Sequence, residues 1–222
     1  MDWPALALSL RLAVWTTVLL LPVGVLLGRA LAWRRFAGRQ LVDAALALPL
    51  VLPPTVLGYY LLVGLGGASW LGRTYQALVG RSLVFSFEGL LVASLLFNLP
   101  FAIQPMQRAF AAIPREVREA AWCSGLGFLR TFWRIELPLA WPGVLAGLVL
   151  SFAHTLGEFG VVLMVGGNIP HETKTVAIAI YDRVQAFDDA AAATMAAALL
   201  GVSFAAIVLV YALSDRIGRR HG

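Results

Sequence analysis

Charge is scarce in this sequence. Asp, Glu, Lys and Arg supply 13% of the 222 residues and hydrophobic residues 60%, where a soluble domain carries about a quarter charged. With a mean hydropathy of +0.82, the chain reads as an all-α polytopic membrane protein. Lysine is almost missing: Lys174 stands alone in HETKTV. A phosphate-binding P-loop needs a lysine after its second glycine, so the chain does not hydrolyse ATP by that route. Gly64-Leu65-Gly66-Gly67 lacks the strand context and spacing of a dinucleotide fingerprint. One cysteine, Cys123, excludes an internal disulfide or a cysteine-rich metal cluster. The three histidines, His154, His171 and His221, form no His-Glu-x-x-His. Ser151 and His154, one helical turn apart, are a thin basis for a catalytic dyad, so an intramembrane enzyme is the remote alternative, with no catalytic and no metal residues expected. The net charge of +5 comes from arginines beside apolar runs, a pattern of membrane orientation and not of nucleic-acid binding. No cleavable signal is expected.

What is abundant is apolar sequence in runs of bilayer length. Five spans are expected in one domain over 1–222: residues 12–31, 41–63, 87–105, 142–165 and 195–213. Span two holds Pro49, Pro53 and Pro54 and must be kinked or unwound, which is tolerated only against protein or a water-lined cavity. Span three is expected to break near Asn98-Leu99-Pro100, and Pro142 to open span four. Glu158 within that span is costly in hydrocarbon and must face protein or water. Pro53, Pro54, Asn98, Ser151, Thr155, Glu158 and Asn168 are the pathway candidates, with interhelical hydrogen bonding as the plainer alternative for the polar ones. Arg34, Arg35, Arg39, Arg108, Arg115, Arg118, Arg130, Arg134, Arg216, Arg219 and Arg220 gather on one side. By the positive-inside rule that side and the C-terminus are cytoplasmic and the N-terminus is outside.

One polar stretch interrupts this pattern between spans three and four, in a loop over 108–138. From Arg115 it reads REVREAAWCSGLGFLRTFWRIELP. Glu116 and Glu119 suit the start of a helix, whose dipole favours carboxylates there. Gly125 supplies a stop in the left-handed conformation. A second short helix, Phe128 to Arg134, is expected to end at Pro138. The result is a helix–turn–helix knuckle outside the membrane.

Glu119-Ala120-Ala121, then Gly125, then Ile135-x-Leu137-Pro138 resembles the EAA loop of ABC importer permeases. That resemblance implies a coupling helix docked in a groove of an ATP-hydrolysing subunit, with Arg118, Glu119, Ala120, Ala121, Gly125, Leu126 and Gly127 at the contact. Small Ala120 and Ala121 allow close backbone approach. Further stretches resemble the molybdate permease family: Leu48-Pro49-Leu50-Val51-Leu52-Pro53-Pro54 with Gly58-Tyr59, Leu156-Gly157-Glu158-Phe159-Gly160, and Asn168-Ile169-Pro170 with Glu172-Thr173-Lys174-Thr175 and Tyr181. Position 171 is His where the family pattern has glycine. The resemblance implies an inner-membrane homodimer, two cytoplasmic ABC ATPase subunits that bind ATP and Mg, and an external oxyanion-binding protein. It implies import of a tetrahedral oxyanion, molybdate or tungstate, by alternating access; the alternative is a sulfate or thiosulfate permease. No cofactor is expected in this chain.

Overall fold

The computed structural model describes residues 1–218; Arg219 and Arg220 of the basic tail lie outside them, as does the side chain of Arg216. The described chain runs as α1 (Trp3–Trp33), α2 (Arg39–Val51), α3 (Pro54–Leu65), α4 (Trp70–Val79), α5 (Phe87–Ala111), α6 (Arg115–Cys123), α7 (Phe128–Thr131), a π-turn (Phe132–Glu136), α8 (Leu137–Gly157), α9 (Gly160–Gly166), α10 (Val176–Gln185) and α11 (Asp189–Gly218). Trp3–Trp33, Phe87–Ala111, Phe128–Gly157 and Asp189–Leu209 are each long and apolar enough to cross a bilayer, and α2 with α3 makes a fifth if the bent pair is one span.

Lipid offers no hydrophobic drive between helices, so close packing has to hold the bundle. The centre is α5, clamped between α1 and α8 by two small-xxx-small pairs. A Cβ on Gly24 would lie 2.7 Å from Met106 Sδ and one on Gly28 3.0 Å from the Gln107 nitrogen. On the other flank a Cβ at Gly143 would overlap Ala109 Cβ, and one at Gly147 would lie 2.8 Å from the Ala102 carbonyl oxygen. Met106, Phe110, Ala140 and Val144 are fully buried in this seam, with Val25 and Ile113 closing it.

The kink or unwinding expected at the prolines of the stretch over 41–63 is present, as two helices bent by 113°; the other proline expectations are corrected. Proline disfavours helical geometry in the residue before it; Leu52 and Pro53 are accordingly extended, at ψ 138° and 136°. By contrast, α5 continues unbroken through Pro100 and Pro105, because helices packed on both flanks hold it. Pro138 does not end the second helix of the knuckle and Pro142 does not open span four: the helix runs continuously from Phe128 to Gly157. The Leu137 amide reaches back to the Phe132 carbonyl, and this wider turn admits the ring of Pro138. That helix then stops at Gly157, so the sequence read as span four is broken at Glu158 and Phe159 before α9 resumes.

The polar connections contain helices that their composition hid. Ser69 caps α4 by accepting from the Gly72 amide at 2.9 Å, and Gly80 closes it in the left-handed region. α10 packs against the start of α1, where the Val176 amide donates to Ser9 Oγ at 2.8 Å. His171 adopts φ +66°, so the turn expected of glycine forms with His in its place.

The bundle has two unlike ends. Arg11 and Arg29 stand eighteen residues apart on α1, about 27 Å by helical rise, close to the roughly 30 Å of a hydrocarbon core. Arg11 lies over the Phe87 ring at 4.1 Å, at the end shared with α10. Arg29 lies at the end shared with α6 and the π-turn.

Candidate functional site

The knuckle is built as the sequence suggests at its turn. After α6 the Gly125 amide donates to the Trp122 carbonyl at 2.9 Å and the Leu126 amide to the Ala121 carbonyl at 3.1 Å. This paired reverse bonding satisfies the last helical carbonyls and requires a left-handed residue; Gly125 has φ +79°. Thr131 Oγ1 adds bonds to the Gly127 and Leu126 carbonyls at 3.2 and 3.4 Å. Glu119 is exposed and pairs with Arg115 at 2.7 Å. Ala120 is exposed and Ala121 buried beneath it, so one alanine faces outward and the other packs inward. Beyond the turn, Phe128, Leu129 and Trp133 are 60%, 67% and 63% exposed. They give the knuckle an open apolar face. Beside it a cleft of about 740 Å³ is lined by Trp33, Arg35, Arg115, Arg118 and Trp122 among others.

Under the knuckle lies a cluster that sequence reading missed. Glu136, in the π-turn, is fully buried. Its Oε2 accepts from Arg29 Nε at 2.6 Å, and its Oε1 accepts from Arg29 Nη2 at 3.2 Å and from Arg118 Nε at 3.1 Å. The only hints in the sequence were an arginine inside an apolar span and a carboxylate just before Leu137-Pro138. Nothing local pairs residues 29 and 136.

The pathway candidates fall into three places. Pro53 and Pro54 mark the break between α2 and α3, and Glu158 marks the break between α8 and α9. These two discontinuities face each other: a Cβ on Gly160 would lie 2.7 Å from Pro54 Cβ. Glu158 is buried, and its Oε1 accepts from the Val161 amide at 2.8 Å, so it caps α9 and does not sit unpaired in hydrocarbon. A second group joins α5 to α8. Asn98 Nδ2 donates to the Ser94 carbonyl at 2.8 Å and its Oδ1 lies 3.1 Å from His154 Nδ1. An amide oxygen only accepts, so Nδ1 carries the proton. Phe101 stacks on the same imidazole at 4.0 Å. Ser151 is buried one turn away, its hydroxyl without a partner among the described residues, and Thr155 Oγ1 donates to the Ser151 carbonyl at 2.7 Å.

Asn168 stands apart, beyond the far end of α9. Its Nδ2 donates to both oxygens of Asp182 at 3.0 Å, and Lys174 Nζ reaches the same carboxylate at 2.6 Å. Burial pushes the Asp182 carboxyl up, but these hydrogen bonds and the charges of Lys174 and Arg183 outweigh it and hold it below its ordinary value. Asn168 thus fastens the turn between α9 and α10.

Residues 21–220 match the family described as binding-protein-dependent transport system inner membrane component. The molybdenum transport system permease protein ModB of Azotobacter vinelandii is 47% identical over 210 residues, which span 95% of this chain and 93% of that protein. The probable sulfate transport system permease protein cysT of Chlorokybus atmophyticus is 31% identical over 195 residues, 88% of this chain and 68% of that one. Among solved structures, a bacterial ABC transporter involved in import of the acidic polysaccharide alginate superposes with a TM-score of 0.72 at 17% identity, covering 98% of this chain and 78% of that one. At that identity the likeness is one of fold.

Proposed function

The chain belongs to the family of binding-protein-dependent transport system inner membrane components, and from that membership we propose that it is the membrane-spanning permease subunit of an ATP-driven molybdate importer. The observation that carries the mechanism is the knuckle: an exposed apolar face on a tightly closed turn, at the bundle end richest in arginine. Two ATPase subunits, holding ATP and Mg, dock there, with Arg118, Glu119, Ala120, Ala121, Gly125, Leu126 and Gly127 forming or shaping the contact. An external oxyanion-binding protein delivers substrate at the opposite end. A second copy of this chain completes the pathway. α2, with no buried residue, and α3, with Tyr59, Tyr60 and Val63 exposed, offer it a surface to cover.

The facing breaks at Pro53-Pro54 and Glu158 form the gate in this reading, and Asn98, Ser151 and Thr155 supply neutral groups beside it. Fixed cations stay near the two ends of α1, at Arg11 and Arg29. A doubly charged anion can therefore pass without a deep cationic trap, since conduction needs binding weak enough for release. Movement of the ATPases alternates access between the two sides.

Molybdate is preferred over sulfate because the molybdenum relative is much more similar than the sulfate one. Uptake competition in cells decides it: excess tungstate should suppress molybdate uptake and the same excess of sulfate should leave it unchanged. Equal suppression by sulfate would assign the chain to the sulfate reading. Orientation has its own check, because Cys123 is exposed on the knuckle. A membrane-impermeant thiol reagent should miss it in intact cells and label it in inverted vesicles stripped of the ATPase; rapid labelling of intact cells reverses the topology.

A further inference from the structure

Glu136 ties together three elements that meet nowhere else through charge among the described residues. Arg29 sits one turn before the end of α1, Arg118 in the middle of α6, and Glu136 at the last position of the π-turn. Two guanidiniums on one carboxylate leave a net positive charge, and aromatic faces surround it. The Arg29 guanidinium lies 4.4 Å from the Phe128 ring centre and 5.0 Å from that of Trp33. The Arg118 guanidinium lies 3.7 Å from Trp33 and 5.1 Å from Trp122. Cations over aromatic rings are stabilised most where water is excluded. The π-turn contributes as well. One extra residue in a helical turn rotates the rest of the helix by about 100°, so it decides which side of the helix Glu136 occupies.

Apolar contacts between helices can slide, but this cluster cannot open cheaply. Pulling Arg29 away removes two of the three charge-assisted hydrogen bonds that the buried Glu136 carboxylate accepts, and pulling Arg118 away removes the third together with its contact to the Trp33 ring. Such bonds to a buried charge are among the costlier ones to lose. We propose that Arg29, Glu136 and Arg118 form a latch that stays closed through the transport cycle. It makes the end of α1, the helix α6 and the start of α8 one rigid body, so that a push on α6 reaches α1 and α8 together. The three are positioning residues: they touch neither substrate nor nucleotide. This inference rests on the reading of α6 as the contact with the ATPase.

The test uses the full complex of permease, ATPase and binding protein in proteoliposomes. Spin labels at Arg34→Cys and Glu116→Cys, in a Cys123→Ser background, report the distance between the end of α1 and α6 with the latch itself intact. One unchanged distance population is expected in the nucleotide-free and ATP-bound states; a second population on ATP binding would overturn the proposal. In parallel, Glu136→Gln keeps shape and removes the charge. The ATPase should still co-purify and hydrolyse ATP, while anions imported per ATP fall by about tenfold, the scale of a typical coupling energy. An unchanged ratio would also overturn it. Failure of the underlying coupling reading looks different: the ATPase would then co-purify undiminished with Leu129→Asp, whatever Glu136→Gln does.

Discussion

Gly125→Val is expected to remove most transport while the protein still inserts in the membrane. The residue holds φ +79° with nothing within 4 Å of where a Cβ would point, so the effect is conformational and not a clash. A left-handed L-residue costs about 1–2 kcal/mol, and a β-branched one stands at the upper end. That is a factor of about 5–30 in the balance between the closed turn and an unwound one. Unwinding would release the Gly125–Trp122 and Leu126–Ala121 bonds and displace the turn at Gly125 to Gly127 that shapes the contact surface. Uptake and co-purification of the ATPase should both fall, and membrane-integrated protein should stay near wild-type amount. Normal uptake in this variant would remove α6 from the coupling path.

Gly143→Val is expected to have the larger effect on the fold itself. Its Cβ would overlap Ala109 Cβ and lie 2.8 Å from the Pro105 carbonyl oxygen, and a backbone oxygen next to proline has little room to retreat. Overpacking a tight seam costs about 1–3 kcal/mol, occasionally more. Here two helices would have to separate along the α5–α8 face, which also carries the Asn98–His154 contact. Thermal unfolding in detergent should show a Tm several degrees lower and a larger aggregated fraction on gel filtration. Gly201→Ala, at a position of α11 with nothing within 4 Å, is the control and should leave Tm unchanged. Equal Tm values for both variants would mean that the α5–α8 seam does not hold the bundle.

Hydropathy made the all-α membrane class legible, and the residue types around Gly125 made the knuckle legible, because both depend on local sequence. Prolines were the poorest guide. Pro53 and Pro54 break the chain, whereas Pro100, Pro105, Pro138 and Pro142 are carried inside helices whose neighbours or a π-turn absorb them. The difference lies in tertiary support, which no local pattern reports. α4 and α10 were hidden for the opposite reason: short amphipathic helices in polar connections lack the long apolar run that marks a span. Glu158 stands out in the sequence as a costly carboxylate, but its role as the cap of α9 depends on a helix end that periodicity does not place. The Arg29–Glu136–Arg118 cluster was the least legible of all, since its partners are 107 residues apart in one pair.

The claim that ATP-driven movement enters through the knuckle can be tested by site-specific photocrosslinking in native membranes. A photoreactive residue placed at Leu129 or Trp133, both exposed on the knuckle, should crosslink to the ATPase subunit, and one at Trp70 on α4 should not. Crosslinks to the ATPase from Trp70 and none from Leu129 or Trp133 would contradict that claim.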